Sequence, residues 1–290
     1  MELDRIKELA IISMFSDDIL MELLVLKGGN ALDIAYNLGN RASMDFDFSI
    51  ETEFPPDQFL DIKERIIRAI KMTFESENII AFDITINEKP KTITEDMADF
   101  WGGYNIEFKV IDSKSYHERS GDIDSIRRNA FVIGAGQQKK VNIDISKFEY
   151  CKNKQRKLLS GYTIYVYMPE LLVIEKLRAI CQQMKEYAQY VRNPTMSPRA
   201  KDFFDVYTTI QHFKIDLKEP DNIELIRLVF EAKRVPLNFL NKIKDYKEFH
   251  LQDFVSVKDT VKPGIDLKDF DFYFDYVVGL CEDLKSTGII

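Results

Sequence analysis

Two aspartates two residues apart, Asp45 and Asp47, stand downstream of a glycine pair, Gly28-Gly29, and this combination is where the chain could do chemistry. In an extended segment side chains alternate with period two, so both carboxylates would share one face while Phe46 and Phe48 meet an apolar core on the other. Carboxylates packed together repel each other, and a divalent cation or a proton must relieve them. The glycines follow Leu23-Leu24-Val25-Leu26, a run that reads as a buried strand. They precede Ala31 to Leu38, which reads as a helix with Leu32, Ala35 and Tyr36 on one side. The pair therefore falls where a helix opens, and the unpaired N–H groups and positive dipole there suit phosphate. Strand, glycine turn, helix and carboxylate strand together are the layout of a nucleotide-and-metal site. Singly, the parts have plainer readings. Asp-x-Asp also describes a solvated edge, Arg41 a surface counter-charge, and Ser43 a hydroxyl satisfying nearby backbone.

The elements that must position these groups divide near residue 160. Before it, helices are expected from Leu3 to Met14 and from Asp57 to Phe74, and strands from Ile79 to Ile86, Tyr104 to Ile111 and Val141 to Ile145. Ser115 to Ala130 reads as one polar helix, followed by Phe131-Val132-Ile133 and the turn Gly134-Ala135-Gly136. Beyond residue 160 the pattern is helical. Pro169 suits a first helical position, and Lys176 and Arg178 are expected to project from that helix. Pro194 and Pro198 make Val191 to Pro198 a loop before a helix through Asp202 and Tyr207. Segments around Asn222 to Lys233, Val235 to Tyr246 and Asp266 to Leu284 read as packing helices. There is no repeat or low-complexity linker.

Composition excludes several classes. With 290 residues, 45% hydrophobic and 30% charged, the chain is ordinary globular protein with room for two domains. No apolar run approaches a membrane span and Met1 to Arg5 lacks a signal-peptide start, so a cytoplasmic location is expected. Cys151, Cys181 and Cys281 are widely separated and read as reduced thiols. His117, His212 and His250 show no pattern, which argues against zinc or a Ser-His-Asp site. A net charge of −8 argues against indiscriminate nucleic-acid binding. From Lys139 to Lys157, however, Lys139, Lys140, Lys147, Lys152, Lys154, Arg156 and Lys157 oppose only Asp144 and Glu149, over what reads as one hairpin or loop region. That run is either a solvated turn or an RNA-facing patch.

The segment from Lys27 to Phe48, Lys-Gly-Gly then Arg-x-Ser-x-Asp-x-Asp, resembles the minimal nucleotidyltransferase core of the AbiEii/AbiGii toxin family. That family looks like the DNA polymerase beta-type nucleotidyltransferases. Relatives outside the toxin branch mostly have Gly-Ser at the turn, where this chain has Gly28-Gly29. The resemblance implies that Asp45 and Asp47 bind Mg2+, with two ions expected. It implies that Gly28 and Gly29 hold the triphosphate of an NTP, with Lys27, Arg41 and Ser43 beside them. The superfamily's third carboxylate falls on Asp144 in Val141-Asn142-Ile143-Asp144-Ile145, with Asp83 as its competitor. Asp144 is preferred because it follows Trp101-Gly102-Gly103-Tyr104, and it would complete the metal site or serve as base towards the acceptor hydroxyl.

A second signature, Lys176 followed by Arg199-Ala200-Lys201-Asp202-Phe203-Phe204-Asp205, is similar to the lysine and Arg-x-(Lys/Arg)-Asp-x-x-Asp elements of the same family. It implies that Lys176 neutralises triphosphate charge, that Asp202 orients that lysine or receives a base or ribose hydroxyl, and that Asp205 helps bind the nucleotide. The plainer reading makes the two aspartates a solvated helical stripe. Together the signatures cover about Leu24 to Tyr207. They imply an α+β fold, with a nucleotidyltransferase-like mixed sheet and flanking helices over residues 1–160 and an α-helical domain over 161–290 contributing to the cleft. They also imply membership of a toxin-antitoxin or phage-defence pair, an antitoxin partner, and nucleotide transfer to RNA, with tRNA the expected acceptor. An enzyme of the same fold acting on a small molecule such as an antibiotic, and a nucleotide-binding regulator without transfer activity, are the alternatives. Three carboxylates argue against the regulator, and the basic run favours RNA over a cationic drug.

Overall fold

Alternating apolar residues build the sheet: Phe46 and Phe48, Ile106, Phe108 and Val110, and Ile143 and Ile145 are all buried. The computed structural model describes residues 3–43, 45–134, 137–192 and 194–290. Met1 and Glu2, Met44 of the Arg-x-Ser-x-Asp-x-Asp run, Ala135 and Gly136 of the glycine turn, and Asn193 of the proline loop lie outside them. Among the described residues seven strands form one mixed sheet: β1 (Val25–Lys27), β2 (Phe46–Ser49), β3 (Ile79–Lys89), β4 (Gly103–Asp112), β5 (Lys140–Ser146), β6 (Lys154–Leu159) and β7 (Tyr162–Tyr167). Their order is β3-β4-β5-β2-β1-β7-β6. β2 runs parallel to β5 and β1 to β7, while β1–β2, β3–β4 and β4–β5 are antiparallel.

The chain forms two compact units. The first comprises Met1–Ala35, Ser43–Ile93 and Gly102–Val166. Besides the sheet it holds helices α1 (Leu3–Phe15), α2 (Asp18–Leu23), α3 (Gly28–Asn30), α4 (Phe59–Glu75), α5 (Ser113–Glu118) and α6 (Ile123–Asn129). The buried positions Ile62, Ile66, Ala69, Ile70, Thr73 and Phe74 give α4 an apolar stripe at helical spacing. That stripe meets the sheet where Phe74 touches Phe108 with ring centroids 5.5 Å apart, and Phe15 of α1 meets Phe48 at 5.8 Å. Both helices therefore cover the face opposite Asp47 and Asp144.

Three expected elements come out differently. The polar helix expected over residues 115–130 is two short helices, because Asp112 and Asp122 each cap a new start by accepting a backbone N–H bond three residues on. Helical structure after the glycine pair starts at Gly28 and ends in a π-wound turn, Ala31–Ala35. The carboxylate strand is short, and Arg41, Ser43 and Asp45 precede it. The reason is a competing partner: Ala42 N donates to Thr260 O at 2.8 Å and Lys262 N to Asn40 O at 2.9 Å, with Arg41 bridged to Val261. Backbone engaged there cannot extend β2.

The second unit comprises Tyr36–Ala42, Thr94–Trp101 and Tyr167–Ile290. Its helices are α7 (Pro169–Cys181), α8 (Ala200–Phe213), α9 (Pro220–Ala232), α10 (Lys247–Leu251), α11 (Phe254–Thr260) and α12 (Phe270–Lys285). Proline opens both α7 and α9, where its missing N–H costs nothing. Phe203 of α8 packs on Phe270 and Phe274 of α12 at 5.4 and 5.5 Å. Truncating this fully buried ring to alanine would cost about 3–5 kcal/mol. No helix among the described residues is long and apolar enough to cross a membrane.

Candidate active site

Strand register assembles the first cluster. Lys27 lies opposite Asp47, Asp47 alongside Asp144, Asp144 opposite Asn105, and Asn105 opposite Asn87. Paired residues on neighbouring strands project to the same face, so one polar row crosses five strands. Its central members alternate with core residues, Phe46 and Phe48 beside Asp47, Ile143 and Ile145 beside Asp144, and Tyr104 and Ile106 beside Asn105. The row therefore follows from the same period that builds the core.

Contacts fix its members. Asp144 accepts from Asn105 Nδ2 at 3.1 Å and from Lys89 Nζ at 3.1 and 3.4 Å. Lys27 is buried and donates to buried Glu149 at 3.3 Å. Gly28 has φ +72 and lies so near the Asp47 carboxylate that an added Cβ would overlap it. Only glycine meets both demands without strain. Asp45 is exposed just ahead of β2, and its carbonyl accepts from the buried Asn30 side chain at 2.7 Å. Gly29 lies within α3, and Ser43 is half-buried.

Among the described residues, no three carboxylate, imidazole or thiol groups converge tightly enough to hold an ion alone. The donor set of Asp47 and Asp144 in register, with Asp45 two residues upstream, is nonetheless hard oxygen of the kind Mg2+ takes. That ion is ordinarily bound by one or two carboxylates, with water and substrate phosphate completing the shell. The residues fit the ion on those terms.

Asp83 stands elsewhere. It occupies a bulge of the edge strand β3, where Arg127 Nε and Nη2 donate at 2.7 and 3.0 Å and Lys109 Nζ at 3.0 Å. The hydrogen bond from Arg127, joined by Lys109 against the opposing effect of burial, holds its carboxyl below the usual range.

A second cluster lies within the second unit. Lys176 of α7 donates to Asp202 at 2.9 Å and to Asp205 at 2.7 Å, Arg41 forks onto Asp205 at 2.8 and 2.6 Å, and Arg199 pairs with Asp202. Lys176, Asp202 and Asp205 are each at most 5% exposed. This overturns two expectations. Lys176 and Arg178 do not project, because α7 is buried nearly all round, and Asp202 and Asp205 are no solvated stripe. Burial opposes charge on all three groups, but the pairing outweighs it. Asp202 is held low by Arg199 and Lys176, and Asp205 by Arg41 and Lys176. The Lys176 ammonium is held high by Asp202 and Asp205 against burial and Arg41. Arg41, Lys176 and Arg199 thus form one network with Asp202 and Asp205.

The basic run is not one surface. β5 is central and pairs with β4 and β2, whereas β6 is the far edge beside β7. Lys147 is buried and donates to Glu53 at 3.2 Å, and Lys154 reaches Glu22 O at 3.3 Å. Sequence reasoning missed Asn30, Lys89, Asn105, Glu149 and the pairing role of Arg199. Asn105 was discoverable, since it alternates with core residues as Asp144 does. Lys89 falls beyond the expected strand end, and nothing local marks Asn30 or Glu149.

The sequence profile described as nucleotidyl transferase AbiEii toxin, type IV TA system, matches residues 10–276. Among curated proteins no match is found. JHP933 from Helicobacter pylori is similar at 18% identity and TM-score 0.49, over 98% of this chain and 91% of that one. A second H. pylori protein, described as a nucleotidyltransferase, is similar at 19% identity and TM-score 0.48, over 98% and 94%. The antibiotic-resistance factor ANT(2'')-Ia is similar at 11% identity and TM-score 0.34, over 81% and 96%.

Proposed function

The chain belongs to the AbiEii nucleotidyltransferase toxin family, and we propose that it transfers a nucleotide from a Mg2+-bound NTP to an RNA acceptor, a tRNA, arresting growth when its antitoxin does not restrain it. The observation that carries this reading is the register of Asp47 with Asp144 on adjacent parallel strands, beside a glycine that only glycine can be. Lys27 stands opposite Asp47 and Lys89 donates to Asp144, and a divalent ion held by the two neighbouring carboxylates would add to that neutralisation.

Asp45, Asp47 and Asp144 would hold Mg2+, which when bound supplies charge neutralisation for the triphosphate and for the acceptor oxygen. The residues around them set the geometry. Asn105 and Lys89 orient Asp144, leaving its carboxylate fixed to accept the proton of an incoming hydroxyl. Asn30 pins the backbone at Asp45, and the buried Lys27–Glu149 pair anchors the strand end from which Gly28 departs. Backbone N–H groups at Gly28 and Gly29 would receive the triphosphate, with Ser43 near the same turn. Within the second unit, the gathering of Arg41, Lys176 and Arg199 around Asp202 and Asp205 supports a phosphate-binding role for Lys176.

The test is incubation of the purified protein with Mg2+, each labelled NTP in turn and total tRNA. Label should enter RNA with at least one NTP, require Mg2+, and vanish in Asp47→Asn and Asp144→Asn. Label found only in a small-molecule product, with none in RNA, would overturn the RNA acceptor. Incorporation by both variants at the wild-type rate would overturn the carboxylate assignment.

A further inference from the structure

The face that carries Asp47 and Asp144 continues along the strands. Asn105 lies opposite Asp144, Glu107 opposite Asn142 and Lys109 opposite Lys140, so three successive rows share that face. The third row ends at an irregularity. Pairing of β3 with β4 slips between Phe82 and Thr85, and Asp83 sits in the slip with φ +51. Bulges re-aim side chains and are concentrated beside functional sites. Here Asp83 is turned to meet Lys109 and both donors of the Arg127 fork. Arg127 is delivered by α6, held where Ile126 and the following Ala130 pack on Phe82 and Ile111. Lys140 reaches Glu107 at 2.6 Å.

Asp83, Thr85, Glu107, Lys109, Arg127 and Lys140 line a cavity of about 280 Å³. Three cations line the cavity with two carboxylates, and Asp124 stands 3.6 Å from Arg127 outside the lining, so the patch is locally balanced in a chain whose net charge is −8. The planar fork of Arg127 suits phosphate oxygens as well as it suits the carboxylate it now holds. Distance selects the ligand. Asp144 and Lys140 are four residues apart on β5, roughly 14 Å at about 3.4 Å per residue. Each strand of a stacked double helix advances about 3.4 Å per nucleotide along its axis, which sets the scale for a stacked single strand. A strand with its end at Asp144 would thus bring a phosphate about four nucleotides back to this cavity.

We propose that the cavity is a phosphate subsite for the acceptor RNA, binding a phosphodiester about four nucleotides from the reacting end through Lys109, Arg127 and Lys140. The proposal rests on the RNA-acceptor reading above. Binding makes and breaks no covalent bond. It exchanges carboxylate partners for phosphate, and Asp83 and Glu107 are what the RNA must displace.

The experiment compares the full-length wild type with Arg127→Gln/Lys140→Gln and with Asp83→Asn. Labelled RNAs of two and eight nucleotides, and inorganic phosphate, are titrated at several salt concentrations. The side chains of Arg127 and Lys140 are 46% and 51% exposed, so neutralising them spares the core. In the double variant the salt slope for the longer RNA should become shallower by about 1.4, at about 0.7 per single-strand phosphate contact. Dinucleotide and NTP affinities should not change. Asp83→Asn keeps a residue that accepts left-handed backbone while withdrawing the competing charge, so it should tighten the longer RNA.

An unchanged slope in the double variant, with wild type binding RNA, overturns the subsite and leaves the RNA acceptor standing. Failure of the wild type to bind RNA overturns both. Equal weakening of the dinucleotide, or loss of inorganic phosphate binding alone, overturns the subsite in favour of a general anion site.

Discussion

Gly28 is the residue on which the carboxylate row turns. Its φ of +72 and its closeness to Asp47 are separate demands, one on backbone and one on space. Gly28→Ala meets neither, and at a strained turn the cost should be about 1–3 kcal/mol. The chain should still fold, because that cost is small beside the rest of the packed core, but Asp47 would be displaced. Urea unfolding should therefore register a modest loss while labelled-NTP transfer is nearly abolished; a Gly28→Ala protein with undiminished transfer would contradict the account. Asp47→Asn keeps shape and removes charge. It should lower transfer by about a hundredfold or more, corresponding to about 3 kcal/mol of transition-state stabilisation, with little change in unfolding midpoint.

At the scale of elements, α7 and α8 are held together by buried charge as well as by apolar packing. Lys176→Ala would leave Asp202 and Asp205 buried with one cation fewer, a loss of about 3–5 kcal/mol. Lys176→Ala/Asp205→Ala should cost clearly less than the two single changes added, because the second removes the charge the first strands. Additive losses in a double-mutant cycle would mean the network is not coupled. Beside it, His250 of α10 is fully buried and its Nδ1 accepts from Arg199 N at 3.1 Å. Burial chiefly, with nearby Arg199 adding to it and Asp202 opposing, pushes its pKa down to about 4.

A histidine whose folded pKa lies below its unfolded value near 6.5 favours the folded state fully above pH 6.5, and that advantage disappears as pH falls towards 4. The wild type should lose about 3 kcal/mol across that window, and His250→Gln should show a much flatter profile by urea unfolding at pH 7, 5.5 and 4. Parallel profiles would remove His250 as the cause. The carboxylates Asp202 and Asp205 act in a separate window. Their depressed values give stability that is present above about pH 4 and is lost only below it.

At the scale of the whole molecule, the second unit is discontinuous. It takes Tyr36–Ala42 and Thr94–Trp101 from within the sequence of the first. Arg41 in one excursion forks onto Asp205, and Phe100 in the other gives its carbonyl to buried Lys233 at 3.1 Å. A fragment of residues 167–290 would bury Asp205 without Arg41 and Lys233 without that acceptor. It should melt without a cooperative transition by circular dichroism, despite holding α7 to α12. A cooperative melt matching the full chain would show that the excursions are dispensable.

What could be read from the sequence was local and periodic. The glycine pair, the two carboxylate strands and the proline-opened helix at 169 are patterns of a few residues whose spacing obeys strand or helix period, and the family signatures lie inside them. Tertiary structure decided what depends on competing partners. Arg41 left the carboxylate strand because backbone at 260–262 offered its neighbours better hydrogen bonds, more than two hundred residues away. Lys176, Asp202 and Asp205 look like solvated helix residues until the packing of α7 on α8 removes water and leaves them to pair with one another and with Arg41 and Arg199. Asp83 and Asp144 sit in equally apolar strands, and sheet order alone separated them: β5 adjoins β2, whereas β3 lies at the edge. Period is a property of consecutive residues, but adjacency of strands and loss of solvent are properties of the closed fold.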